Sequence, residues 1–180
     1  MLETVVPFVH RILRDKVKKT DYTIDATCGN GHDTLFLANL SKHVYAFDIQ
    51  KAAIANTTKL LEENNHTNYS LFEESHISFS SFISTEVTAI TYNLGYLPGS
   101  DKTIKTNPST TIESIKNGLS LLKRKGIISI ILYIGHDGGL EEANTVEDFA
   151  VNLDGKEYSV IKYQFINRYN SPYVIIIEKL

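Results

Sequence analysis

The sequence predicts an α/β fold: a seven-stranded, mostly parallel sheet with helices on both faces and a C-terminal antiparallel hairpin. Three observations point there. Short apolar runs of strand length alternate with stretches of helical periodicity along the chain. A strand, a Gly-x-Gly turn and a helix follow one another between Tyr22 and Leu40. The last two strand-like runs, Tyr158–Phe165 and Tyr173–Lys179, are separated by an Asn170-Ser171-Pro172 break and no helix, so they are expected to pair as a hairpin.

Each element has a local reason. Residues 3–18 read as a helix because Val5, Val6, Val9, Ile12, Leu13 and Val17 share one face. Tyr22–Ala26 is a short buried strand, and the turn Thr27-Cys28-Gly29-Asn30-Gly31 leads into a helix ending near Leu40. His43–Asp48 is the next strand, Ala52–Glu63 a helix that stops at Asn64-Asn65, and Tyr69–Glu73 a strand. Residues 75–85 carry only a short helix. Val87–Asn93 is a strand, followed by a loop rich in Gly and Pro. Ser109 or Thr110 is expected to cap a helix running to about Lys123, with Glu113 completing a capping box. Gly126 is expected to end that helix and open the strand Ile127–Tyr133; Gly138-Gly139 then leads into a helix over 140–152. Apolar strands alternating with helices imply a parallel sheet covered on both sides. Seven strands ending in a hairpin are the plan of the Rossmann-like class I S-adenosylmethionine-dependent methyltransferases. The alternation alone would also suit a dehydrogenase or a flavodoxin-like domain, so the site residues must decide.

Length and composition narrow the classes. The 180 residues, 42% hydrophobic and 22% charged, suit one globular domain spanning 1–180 and argue against disorder. The longest apolar run, Gly126–Tyr133, is too short to span a membrane, and the N-terminus lacks a signal-peptide pattern, so a cytoplasmic protein is expected. One cysteine, Cys28, excludes an internal disulfide, and no metal site is expected among the six histidines. A formal net charge of −3 excludes a uniformly basic surface. Nucleic-acid contact would need a local patch: Arg11, Arg14, Lys16, Lys18 and Lys19, or Lys123, Arg124 and Lys125. Solvated helical cations are the alternative reading of both.

The chemistry concentrates at strand ends. In Asp25-Ala-Thr27-Cys28-Gly29-Asn30-Gly31-His32-Asp33, two glycines let the backbone approach a ligand. A diphosphate-binding turn would want a third glycine where Thr34 stands. Asp25 and Asp33 flank the turn instead, which suits a cationic or neutral ligand such as S-adenosylmethionine. Asp48, 23 residues after Asp25, is placed to accept hydrogen bonds from ribose hydroxyls, with Ile49 against a base and Gln50 beside it. Ser75-His76 follows the third strand, where an adenine edge would lie; a structural histidine is the alternative. At the end of the fourth strand, the Asn93 side-chain oxygen and the Leu94 carbonyl can hold the two N–H bonds of an amino group. Tyr96 can stack on a planar base. His136, at the end of the fifth strand, can take a proton or contact phosphate; a loop histidine bonded to Asp137 is the alternative. The polar, aromatic segment Asn167–Pro172 offers either a further nucleic-acid contact or a plain hairpin turn.

Asn93-Leu94-Gly95-Tyr96 resembles the Asn/Asp-Pro-Pro-Tyr signature of amino methyltransferases, with Leu-Gly in place of Pro-Pro. More of the chain resembles one small family of class I methyltransferases long labelled rRNA methylases. Some members modify 5-aminomethyl-2-thiouridine in tRNA. The matching stretches are DATCGNGHDTLFLA (Asp25–Ala38), AFDIQKAAI (Ala46–Ile54), Ser75-His76, NLGYLPGSDK (Asn93–Lys102), TTIESI (Thr110–Ile115) and YIGHDGGLEE (Tyr133–Glu142). The resemblance implies S-adenosylmethionine as cofactor and N-methylation of 5-aminomethyl-(2-thio)uridine at the tRNA wobble position, hence contact with the anticodon region. It also implies a homodimer. An rRNA or small-molecule acceptor, or a nucleotide-binding module without chemistry, are the other readings.

Overall fold

The computed structural model describes residues 2–95 and 106–180. Helix α1 (Val5–Lys16) presents Val5, Val9 and Leu13 to the interior at four-residue spacing. Strand β1 (Tyr22–Asp25) leads into α2 (His32–Leu40), then β2 (His43–Phe47), α3 (Lys51–Glu63) and β3 (Tyr69–Phe72). A single 3₁₀ turn at His76–Ser78 runs into α4 (Phe79–Phe82), the short helix expected over 75–85. Then come β4 (Val87–Leu94), α5 (Pro108–Leu121), β5 (Leu122–Leu132), α6 (Gly139–Val151), β6 (Tyr158–Tyr163) and β7 (Tyr173–Lys179).

The strands form one seven-stranded sheet in the order β3-β2-β1-β4-β5-β7-β6. β1 to β5 pair in parallel; β7 runs antiparallel to both β5 and β6. The expected parallel sheet with its terminal hairpin is therefore present. Side chains alternate across it. Ile127 and Ile131 of β5, with Val174 and Ile176 of β7, join α1, α2 and α3 on one face. Ile128, Ile130, Ile175 and Ile177 join α5 and α6 on the other. Near-continuous burial along β4 and β5 follows from this two-sided cover. The strand order reverses between β1 and β4, so the carboxyl ends of these two strands open a crevice where a ligand can sit. Among the described residues no helix is long and apolar enough to cross a membrane.

Two local expectations are corrected. The cap of α5 is Asn107, not Ser109 or Thr110: the Asn107 Oδ1 accepts from the Ser109 backbone N–H at 3.0 Å. Pro108 takes the first helical position, where its fixed φ and missing N–H cost nothing, so the helix starts earlier. Gly126 does not end the helix either. The chain is already extended at Leu122, and β5 begins there with an irregularity that aligns Val87 with Leu122 but Ala89 with Ile127. Lys125, at φ 64°, absorbs the extra residues. Lys123, Arg124 and Lys125 thus belong to the start of a strand rather than a helix terminus, and Lys123 pairs with Asp21 at 2.7 Å.

Candidate active site

The β1–α2 turn is built on backbone needs. Gly29 (φ 51°) and Gly31 (φ 85°) both adopt left-handed conformations. A Cβ on Gly31 would lie 2.9 Å from the Thr57 Cα of α3, so the turn can fold down onto α3 only with glycine here. Thr57 Oγ1 donates to the Gly29 carbonyl at 3.1 Å and fastens the same contact. Asp25 lies beneath the turn, 1% exposed, accepting from Thr34 Oγ1 at 2.6 Å and from the Thr27 N–H at 3.3 Å. Burial pushes its carboxyl well above the usual range, and the nearby Asp33 carboxylate adds to the shift. Asp25 and Gly31 therefore shape the turn from behind. Thr27, Cys28, Gly29, Asn30, His32 and Asp33 line the cleft itself, whose volume is about 1030 Å³. Burial raises the Cys28 thiol far above its ordinary value, leaving it a packed, protonated side chain.

Beyond the end of β2, Asp48 is held twice. Its Oδ2 accepts from the Gly29 N–H at 3.1 Å and its Oδ1 from the Gln50 N–H at 2.9 Å. Both oxygens keep further acceptor capacity. Ile49 is 58% exposed on the cleft wall, an apolar surface suited to the face of a base. Gln50, Ser75 and His76 line the same end. His76 is buried; burial lowers its pKa to about 4, so the ring is neutral at pH 7. Its Nδ1 has no hydrogen-bond partner among the described residues. A buried ring nitrogen without a partner beside a cleft is what an adenine edge would satisfy.

The opposite end gathers side chains from separate elements. The Asn93 backbone N–H donates to Thr27 Oγ1 at 2.7 Å, tying β4 to the β1 turn. The Asn93 amide donates through Nδ2 to Asp33 Oδ2, and its Oδ1 accepts from the Tyr133 hydroxyl at 3.3 Å. Asp33 also accepts, through Oδ1, from His10 Nε2 of α1 at 2.7 Å. The His10 ring lies stacked on Phe36 with centroids 3.7 Å apart. Leu94 lines the cleft while its side chain is buried. Tyr96 lies outside the described residues. Gly95 and Thr106 are joined by reciprocal bonds of 3.0 Å, from the Gly95 N–H to Thr106 Oγ1 and from the Thr106 N–H to the Gly95 carbonyl. Buried Glu142 of α6 accepts from Thr106 Oγ1 at 2.6 Å and from Thr111 Oγ1 at 2.8 Å. His136 Nδ1 lies 3.0 Å from the Asp137 carbonyl, and its ring lines the cleft. A Cβ on Gly139 would come within 2.9 Å of that ring, so α6 can begin this close to it only with glycine.

Most of the predicted site residues thus meet in one cleft. Reading the sequence missed His10, whose partner lies 23 residues away, and Thr106 and Asn107, which precede α5 without a distinguishing pattern; Asn170, of the Asn167–Pro172 segment, lines the cleft. Tyr133 has no role legible in the sequence; its hydroxyl donates to Asn93, and burial with the nearby Asp33 charge raises its pKa. Among the described residues no cluster of His, Cys, Asp or Glu could hold a metal ion.

Residues 44–179 match the family model described as "Putative rRNA methylase". A tRNA (mnm5s2U34)-methyltransferase, chloroplastic, from Arabidopsis thaliana is 36% identical over 184 residues, covering 94% of this chain and 67% of that protein. The crystal structure of a putative rRNA-methylase from Clostridium thermocellum is 39% identical, with a TM-score of 0.97 over 100% of both chains. A putative methyltransferase from Streptococcus mutans, solved in complex with SAH, is 36% identical with a TM-score of 0.95, again over 100% of both chains. The architecture is the Rossmann-like fold of class I S-adenosylmethionine-dependent methyltransferases. With the strand order, the Gly29/Gly31 turn and the Asn93 strand end all in place, the chain belongs to the rRNA-methylase family of this fold.

Proposed function

We propose that this protein is an S-adenosylmethionine-dependent N-methyltransferase of tRNA that methylates the primary amine of 5-aminomethyl-(2-thio)uridine at the wobble position. The observation that carries the reading is the Asn93 amide: its nitrogen is engaged by Asp33, which leaves its oxygen as the acceptor at the cleft. An amino group that gives two N–H bonds to fixed acceptors has its lone pair aimed elsewhere, which is what an in-line displacement requires. The Arabidopsis relative's name supports the same acceptor.

The cofactor end fits S-adenosylmethionine. Asp48 suits the ribose diol, Ile49 the adenine face and His76 the adenine edge. Thr27, Gly29, Asn30, His32, Gln50 and Ser75 complete the wall. When bound, this cofactor supplies a methyl group activated on a sulfonium. The chain's own residues do the rest. Asn93 and the Leu94 carbonyl orient the amine, and Tyr96 stacks on the uracil ring. An ammonium has no lone pair to attack with, so a proton must leave first; His136 on the cleft wall receives it. Lys18 and Lys19, both exposed just beyond α1, approach the tRNA backbone near the anticodon. Arg11 and Lys16 of the same stretch are already paired, with Glu3 and Glu178. One domain over 1–180 acting as a cytoplasmic homodimer completes the proposal.

Asn93→Ala tests it. Single-turnover methylation of tRNA bearing the 5-aminomethyl group should fall about 10²–10³-fold, while affinity for S-adenosylhomocysteine and Tm stay close to parental. A near-parental rate would remove the amine-holding role of Asn93. Methylation of rRNA or of a free small molecule, with no methylation of that tRNA, would move the acceptor to one of those classes.

A further inference from the structure

A side-chain amide is nearly symmetric in shape, and nothing local tells Asn93 which end to turn toward the cleft. Its neighbours decide. Asp33 presents a carboxylate, which can only accept, to one end of the amide; that end must be Nδ2. Oδ1 is then forced to the side of the Tyr133 hydroxyl. The opposite rotation would place two oxygens against each other in a part-buried site. Asp33 is itself held: its second oxygen accepts from His10, whose ring is stacked on Phe36. The resulting chain runs His10–Asp33–Asn93–Tyr133, from α1 through α2 to the ends of β4 and β5.

We propose that Asp33 is a positioning residue for the acceptor amine: it sets the rotation of the Asn93 amide so that oxygen, not nitrogen, faces the substrate, and His10 holds Asp33 in place. This rests on the amine-methyltransfer reading above and deepens it. Asp33 also lines the cleft, so its charge acts on the acceptor directly. The nitrogen gains positive charge as its new bond to carbon forms, and it sheds a proton afterwards. A carboxylate close by favours that change more in the transition state than in the ground state. The same carboxylate disfavours an anionic oxygen acceptor. The acceptor end is in this way selective for an amine by charge as well as by hydrogen-bond polarity.

The test uses the full chain with Asp33→Asn, His10→Ala and the exchange Asp33→Asn/Asn93→Asp. Asp33→Asn should lower the single-turnover rate on 5-aminomethyl-bearing tRNA by about 10²-fold, with KM for S-adenosylmethionine and affinity for S-adenosylhomocysteine within about threefold (under 0.7 kcal/mol). His10→Ala, which keeps the carboxylate, should cost about tenfold. The exchanged pair again opposes an amide N–H to a carboxylate and leaves an oxygen facing the cleft, so it should recover at least about tenfold of the lost rate. A second readout is independent of turnover. With S-adenosylhomocysteine present, the parent should bind an anticodon stem-loop carrying 5-aminomethyluridine more tightly than one carrying uridine, and Asp33→Asn should erase that preference. A parental rate in Asp33→Asn, or an exchange no better than the single variant at equal Tm, overturns the inference while leaving the amine reading intact. A parent that neither methylates nor prefers the amine-bearing RNA overturns both.

Discussion

The two ends of the cleft are built on different principles. At the proposed cofactor end most of the carboxylate contacts are to backbone N–H groups, of the β1–α2 turn and of the residues just after β2. Asp25 braces its own turn through Thr27 and Thr34, and Asp48 takes the N–H groups of Gly29 and Gln50. At the proposed acceptor end the contacts are made between side chains of different elements. His10 reaches Asp33, Asn93 reaches both Asp33 and Tyr133, and Glu142 ties together Thr106 and Thr111. The first end is rigid because its hydrogen bonds are part of the turn; the second is tunable because each member is a replaceable side chain. Binding of a constant cofactor suits the former, and recognition of a particular acceptor suits the latter.

The largest expected effect breaks the rigid end. Gly31→Ala forces a left-handed residue to carry a Cβ 2.9 Å from the Thr57 backbone. The expected cost is roughly 2–4 kcal/mol of stability, since strain and a backbone clash add. Urea unfolding would show it as a lower midpoint with an unchanged slope. A midpoint equal to the parent would mean that the turn is looser than its geometry implies.

A pH experiment sharpens the same end. His76 is neutral in the folded protein with a pKa lowered to about 4 by burial, against an ordinary value near 6.5. Between these values the unfolded chain binds a proton that the folded chain does not. Stability from this group is therefore complete above pH 6.5 and is lost as the pH falls toward 4. From pH 7 to 4.5 the loss should be about 2–3 kcal/mol. His76→Asn should remove that component, so the two stability curves should converge on acidification. Parallel curves would show that His76 titrates normally.

The smallest effect should fall on the RNA side alone. Lys18→Glu with Lys19→Glu should weaken tRNA binding several-fold at low salt and flatten its salt dependence by about two counter-ions. S-adenosylhomocysteine affinity should not change, because neither residue lines the cleft. An unaltered tRNA affinity would direct attention to Lys123–Lys125 or to the Asn167–Pro172 segment instead.

How much of this could be read beforehand follows the same division. The strand, turn and helix from Tyr22 to Leu40 are legible because a Gly-x-Gly turn and its flanking acids are neighbours in the chain. Asn93 is legible because a polar residue ends an apolar strand. The Asn107 cap and the long irregularity at Lys125 are harder. Ser109, Thr110 and Asn107 are all good caps in isolation, and Pro108 decides among them. The early start of β5 depends on pairing with β4, which sequence periodicity does not report.

The sequence alone determined the alternating strands and helices, the two-sided burial of the sheet and the placement of polar residues at strand ends. These depend on hydrophobic period and turn chemistry, which are local. It could not distinguish Asp25 from Asp33, two carboxylates flanking one glycine turn. Tertiary structure separates them. Asp25 ends a strand buried on both sides and is enclosed beneath the turn, while Asp33 opens a helix that α1 and β4 approach from either side. Packing between distant elements, and the rule that a carboxylate in such a place must be met by donors, encloses one acid beneath the turn and leaves the other on the cleft wall.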